Sequence, residues 1–397
     1  MEQRGLDAIV ASTGTNVFYL SGLNAIAHKS DEPRPYAVII SRQAVEASVL
    51  VVADYYINSI VTQPTWLQDI RAFRAVMLPL DLPPRPEDVD RFIPPAGNDL
   101  AWMGPLRARY ASGIETVCRQ AFKDLGLEHA RIGFDDGHFA RRFEGGGIEI
   151  ADAYDPLMYA RAVKTAPELG LLRRATTLNQ RAIETAIGEW DRGMTWREFN
   201  RAYHRAALDL GGFVRDPGAM VWSNARGTDA TVALQTGLED YEVAPGMHVL
   251  FDCHGTLDLY CWDGGKTWVV DGEPEGVAKT NAEGAMAASE TIMAAMKPGA
   301  RISELQASGR RAFKQAGVGA PDSALMFFHG LGLSHMDIEE VKADGTPNAD
   351  WVLEADMVVP LHVLYPGGDR ERIWIEEVVR VTPDGGEPFF DWGFAPL

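Results

Sequence analysis

Two aspartates, Asp252 and Asp263, stand eleven positions apart in the stretch VLFDCHGTLDLYCWDGGKTW. His329 follows in FFHGLGLSH, His362 in VVPLHVLY and Glu376 in RIWIEEVVRV. All five are metal-ligand types, and each lies in or beside an apolar run that reads as a strand. Charged or imidazole side chains are costly inside apolar strands unless partnered. A metal ion serves several carboxylates and imidazoles at once. This donor set suits Mn, Fe, Co or Zn, as one ion or, with bridging carboxylates, as two. Such a centre polarises a carbonyl and lowers the pKa of a water, which implies amide hydrolysis or proton abstraction from a bound small acid. Singly, each residue has a plainer reading. An aspartate ends a strand, a histidine hydrogen-bonds in a core, and Glu376–Glu377 forms a solvated strand face. Their joint order and spacing favours the metal centre.

Side chains alternate across a strand, so Asp252 and His254 share a face. If GTLD turns and LYCWD returns as a paired strand, Leu259, Cys261 and Asp263 share a face and both aspartates reach one point. Downstream, Pro360, His362 and Leu364 share a face, as do Trp374, Glu376 and Val378. PGGDRE is the turn-rich connector between them. Trp222 and Trp262 lie near these motifs, either lining a pocket or filling the core.

The elements that must position these groups fall into two parts. In the first, GLDAIVAS, YAVIIS, ASVLVVAD and RIGFDD read as strands. GPLRARYASGIETVCRQAFKDLGL reads as one amphipathic helix closing at Gly126, and LPLDLPPRPEDVDRFIPPAG as an exposed loop. This alternation predicts an α/β domain. In the second part, Thr165 and Glu168 form a capping box that opens a long helix. Further helices are expected from Thr195 to Gly211–Gly212, over 276–296, and over about 303–317. The strands between and after them predict an α+β domain with a largely antiparallel sheet.

The chain has 397 residues, which suggests two domains. A net charge of −19 argues against nucleic acid and anionic lipid as partners. No apolar run is long enough to cross a membrane as a helix. The N-terminus lacks the pattern of a secretory signal. Cys118, Cys253 and Cys261 form no CxxC pair, and Cys253 and Cys261 read as small buried residues. A reducing cytoplasm is the expected location.

The motif order resembles the creatinase / aminopeptidase P / methionine aminopeptidase superfamily, whose catalytic domain is the pita-bread fold. GLDAIVASTGTNVFYLSGL, AVKTAPELGLLRRA, GMTWREFN, MKPGARISEL and IEEVVRVTPDG are similar to that family's landmarks. The resemblance implies a smaller N-terminal creatinase-like α/β domain over residues 1–158 and a pita-bread catalytic domain over 159–397. It also implies that the native start lies upstream. Asp252, Asp263, His329 and Glu376 match family metal ligands. His362 stands where the family's fourth ligand is a glutamate, Gln235 where many peptidases have a substrate-facing histidine, and Lys266 where an arginine is common. His335 follows His329 by six positions instead of the usual seven. His254 is an added ligand type, able to ligate or to move a proton.

The resemblance therefore implies a metal-dependent hydrolase of the Xaa-Pro dipeptidase or aminopeptidase type. Its substrate would be a dipeptide or small molecule, its cofactor one or two divalent ions (Mn, Fe, Zn or Co), its state a homodimer. Asp252, Asp263, His329, His362 and Glu376 would bind metal. Glu376, His335 and His254 would act on the substrate, with Gln235, Trp222 and Trp262 lining its pocket. The rivals are a non-peptidase member, such as an iron-dependent lyase of dimethylsulfoniopropionate type or a creatinase-like or ectoine-hydrolase-like amidase, and a binding module with a decayed site.

Overall fold

The computed structural model describes residues 1–24, 35–63, 65–75, 81, 85–214, 220–222, 241–337, 350–368 and 370–397, with backbone alone at Pro86 and 220–222. The chain divides into two compact units, Met1–Met158 and Tyr159–Leu397.

In the first unit the strands are β1 (Ala8–Ala11), β2 (Tyr36–Ser41), β3 (Val49–Ala53), β4 (Asp69–Phe73), β5 (Arg131–Phe134) and β6 (Glu149–Asp152). They form one mixed sheet in the order β4-β3-β2-β1-β5-β6. β2 and β3 are buried along their whole length, as expected of apolar runs covered on both faces. Helices α1 (Gly14–Ser21), α2 (Ile57–Thr62), α3 (Met103–Arg109), α4 (Ile114–Asp124) and α5 (Gly137–Ala140) accompany it. The single helix expected up to Gly126 is thus two. Tertiary pairing breaks it: Ala111 bridges Phe73, and the Arg74 N–H donates to the Ala111 carbonyl at 2.8 Å. The proline-rich stretch carries 3-10 turns at Pro86–Phe92 and Pro95–Gly97, and it buries Val89.

Helix α6 (Tyr154–Ala162) leads into the second unit, which holds α7 (Ala166–Glu189), α8 (Trp196–Asp209), α9 (Val277–Ala295) and α10 (Ile302–Gln315). Both expected capping boxes form, Thr165 with Glu168 at α7 and Thr195 with Glu198 at α8. The strands are β7 (Phe213–Val214), β8 (Met220–Trp222), β9 (His248–Asp252), β10 (Gly255–Leu257), β11 (Tyr260–Trp262), β12 (Gly265–Val269), β13 (Leu325–Phe328), β14 (Val358–Tyr365), β15 (Ile373–Thr382) and β16 (Gly385–Pro388). The larger sheet runs β13-β14-β15-β12-β9-β8, with β16 on β15, and all its pairings are antiparallel. Val359, Leu361, Val363, Ile373 and Ile375 pack with Ala285, Ala288, Ile292, Leu305 and Phe313 of α9 and α10. Alternation then leaves His362 and Glu376 for the opposite face.

The route between the two aspartates differs from expectation. The strand of Asp252 does not pair with LYCWD. Instead β10 and β11 form their own hairpin, Gly255 facing Trp262. Its two turn residues, Asp258 and Leu259, have φ of 50° and 72°, the left-handed pair a tight hairpin turn requires. The aspartates converge because β12, which starts just after Asp263, pairs with β9.

Candidate metal centre

Strand register builds the centre. His362 and Glu376 are direct partners across β14 and β15, and Gly265 is the partner of Glu376 from β12. Asp263 sits just before the pair Gly264–Gly265, with φ of 91° and 148°. A Cβ on Gly265 would stand 2.6 Å from Phe251, so only glycine lets Asp263 come this close to β9. His329 follows β13. Asp263, His329, His362 and Glu376 each bring one donor atom, all within 4.8 Å of one another.

This group is closed to solvent; the side chains of Asp263 and Glu376 are both 0% exposed. His362 Nε2 lies 2.8 Å from Glu376 Oε1, and His329 Nε2 lies 3.4 Å from Asp263 Oδ2. Donors about 2.1 Å from one ion, at octahedral or tetrahedral angles, stand about 3.0–3.4 Å apart. These two donor–donor distances are close to that range. His329 Nδ1 donates to the Gly330 carbonyl at 3.0 Å, and His362 Nδ1 to the Phe327 carbonyl at 3.2 Å. That leaves each Nε2 lone pair facing the carboxylates, as in ligating histidines held by a second hydrogen bond. Burial pushes both rings below the ordinary imidazole range, so they are neutral and able to ligate. Burial, then the carboxylates of Asp263 and Asp252, pushes Glu376 well above its ordinary value. Asp263 Oδ2 and both Glu376 oxygens are buried without a hydrogen-bond partner. Orphaned carboxylate oxygens are costly, and a cation satisfies them together. The residues present therefore fit a divalent ion.

A second group borders the first on its more exposed side. His254, Asp263 and His335 bring donor atoms within 4.8 Å of one another. His254 Nε2 lies 2.7 Å from Asp252 Oδ1 and 3.2 Å from Asp263 Oδ1. His335 Nε2 lies 2.9 Å from Asp263 Oδ2, and its ring centroid is 4.3 Å from that of His254. Burial works to lower His254, but Asp263 and Asp252 outweigh it and carry its pKa up to about 10. Burial would likewise raise Asp263, but His335 and His254 hold it well below its ordinary value.

The profile of metallopeptidase family M24 matches residues 170–383, more than half of the chain. The chain belongs to family M24. Members of this family use divalent metals. An uncharacterized peptidase of Staphylococcus saprophyticus is 25% identical over 57% of this chain and 62% of its own length. The chain thus spans about three fifths of that relative. Among solved structures, the X-Pro aminopeptidase from Thermotoga maritima superposes with a TM-score of 0.72, covering 100% of this chain and 99% of that one at 17% identity. The prolidase from Pyrococcus furiosus gives 0.69 over 98% and 97%, also at 17% identity. These neighbours share the fold, and the α+β pita-bread class with an N-terminal domain holds.

The M24 chain places the expected residues unevenly. Asp263, His329, His362 and Glu376 gather in the closed group; His254 and His335 share Asp263 on the more exposed side. Asp252, 16% exposed in its side chain, pairs with His254. Trp262 is buried in the core, where its Nε1 donates to the Tyr203 hydroxyl at 3.1 Å, so it does not line a pocket. Tyr203 in turn donates to Asn179 Oδ1, and Asn179 donates to the carbonyls of Asp263 and Gly264. Trp222 ends β8, with its side chain outside the described residues, and Gln235 lies outside them altogether. Glu377 is not a solvated residue. It is buried, and its Oε1 accepts the N–H groups of Phe389 and Phe390 at 3.1 and 3.0 Å.

Proposed function

We propose that this M24 protein is a metal-dependent hydrolase of small peptides, of the Xaa-Pro dipeptidase or aminopeptidase type. One observation carries the reading: four donors converge with three of their carboxylate oxygens buried and unpartnered. Asp263, His329, His362 and Glu376 would hold the ion, with Asp252 beside them. A divalent ion there supplies a Lewis acid for the scissile carbonyl and lowers the pKa of water. Glu376 takes and returns a proton at its carboxylate. His254 holds a proton at Nε2 between Asp252 and Asp263, on the side from which substrate is reached, and passes it to the leaving amine, while His335 beside it orients the substrate. Sheet strands and the α9–α10 core exclude water behind His362 and Glu376. A homodimer in the cytoplasm belongs to the same proposal.

The test is metal content together with turnover of dipeptides bearing proline second, under Mn, Co, Zn and Fe. Stoichiometric metal with proline-directed cleavage is expected. No turnover with any of these metals removes the peptidase assignment. The His254–His335 ring pair favours one second reading, a lyase in which this pair lies against a bound small acid that loses a proton and a leaving group. Turnover of a sulfonium acid with no dipeptide cleavage would select it.

A further inference from the structure

Behind the segment carrying His329 and His335 lies a group of buried charges that the proposed chemistry leaves unused. The side chains of Arg161 and Lys164, 6% and 1% exposed, converge on Asp337, 1% exposed. Arg161 donates to Asp337 Oδ1 from Nε at 3.3 Å and from Nη2 at 3.1 Å. Lys164 Nζ donates to Asp337 Oδ2 and to the Ala162 carbonyl, each at 3.1 Å. Arg161 also reaches the Ser334 hydroxyl at 3.4 Å.

These contacts close the segment on itself. The Asp337 N–H donates to the Gly330 carbonyl at 2.9 Å, and the Gly332 N–H to the Ser334 carbonyl at 3.1 Å. A Cβ on Gly332 would stand 1.9 Å from Asp337 Oδ2, so the carboxylate rests directly on the glycine backbone. The Gly332 carbonyl accepts the Cys261 N–H at 2.8 Å, two residues before Asp263. Nearby, Glu168 accepts the Tyr260 hydroxyl at 3.0 Å, tying the start of α7 to the same strand.

The arrangement has one geometric result. His329 and His335 lie six residues apart, yet both present Nε2 to Asp263 Oδ2, at 3.4 and 2.9 Å. Two rings from one short segment meet one oxygen only if the backbone between them is held. Buried ion groups are a poor route to stability, since removing charges from water offsets most of their attraction. Holding a defined backbone geometry is the role left to this one.

We propose that Asp337 is a positioning residue: clamped by Arg161 and Lys164 and seated on Gly332, it fixes residues 329–337 so that both imidazoles face Asp263. The proposal rests on the metal-centre reading. Asp337→Asn keeps the size and removes the charge. Lys164→Met is milder, leaving Arg161 on Asp337. Two readouts separate positioning from plain stability. The first is the ring nitrogen–proton correlations of metal-free protein, with His248, whose Nδ1 lies 2.8 Å from the Arg372 carbonyl, as internal reference. The second is Co2+ affinity by calorimetry.

The His329 and His335 signals shift in both variants while His248 stays. Co2+ binds about 10- to 100-fold more weakly to Asp337→Asn, the usual cost of losing a group that orients ligands, and less weakly to Lys164→Met. Unmoved His329 and His335 rings, in whichever variant folds, overturn the proposal whatever the Co2+ affinity. The two failures are distinct. Wild-type protein that takes up no Co2+ ends the metal reading, whereas normal wild-type uptake with unmoved rings ends this one.

Discussion

The two halves of the site are built on opposite principles. The inner half, His329, His362 and Glu376 around Asp263, is buried, and its imidazoles are held neutral with Nδ1 fixed by carbonyls. The outer half, Asp252, His254 and His335, keeps side chains 16%, 19% and 32% exposed. There His254 is driven toward its charged form by neighbouring carboxylates. Asp263 belongs to both: its Oδ2 faces His329 of the inner half and His335 of the outer half, and its Oδ1 faces His254. The contrast teaches a division of labour. Rigid strand pairing and dehydration favour coordination, while partial exposure and the charged His254 favour proton traffic with a substrate.

Asp263→Ala should break both halves at once. Metal uptake falls at least about 100-fold and turnover disappears, measured by elemental analysis and calorimetry. His335→Gln should break the outer half alone. Turnover drops about 100-fold or more while metal content stays near wild type, which a kcat measurement on metal-saturated protein checks. His362→Glu sharpens the inner half. It adds a negative charge, so relative affinity should move about 10-fold from Zn toward Mn, read by competition.

The smallest effect concerns the layer beneath. Burial raises Glu377 from 4.5 to about 8, so the folded protein binds its proton more tightly than the unfolded chain does. Stability from this group is complete below about 4.5 and is lost as pH rises through about 8. Burial lowers Lys266 from 10.5 to about 8, so its cost is relieved as pH climbs from about 8 to 10.5. Melting temperature should therefore decline by roughly 5–10 °C between pH 5 and 8, then recover. Glu377→Gln should flatten the decline, and an unchanged slope would contradict the assignment.

The same contrast separates what sequence reveals from what it hides. Asp263, His329, His362 and Glu376 were legible because each stands in or beside an apolar run where a charged or imidazole side chain needs a partner, and because they follow one another in the order of a metal-ligand set. The pairing of His362 with Glu376 follows from two adjacent strands joined by PGGDRE. The hairpin of β10 and β11 was not legible, since Asp258–Leu259 carries neither the glycine nor the asparagine that signals such a turn. The break at Ala111 depends on a distant strand end. Glu377 looks solvated until Phe389 and Phe390 turn back to donate their N–H groups. Asp337 gave no signal, because its partners lie 173 and 176 positions away.

The most direct measurement is an anomalous diffraction map from crystals of the full chain grown with Mn2+ or Zn2+. A peak is expected between Asp263, His329, His362 and Glu376, about 2.0–2.2 Å from their donor atoms. A fully loaded crystal with no peak among these four side chains would contradict the metal-centre reading.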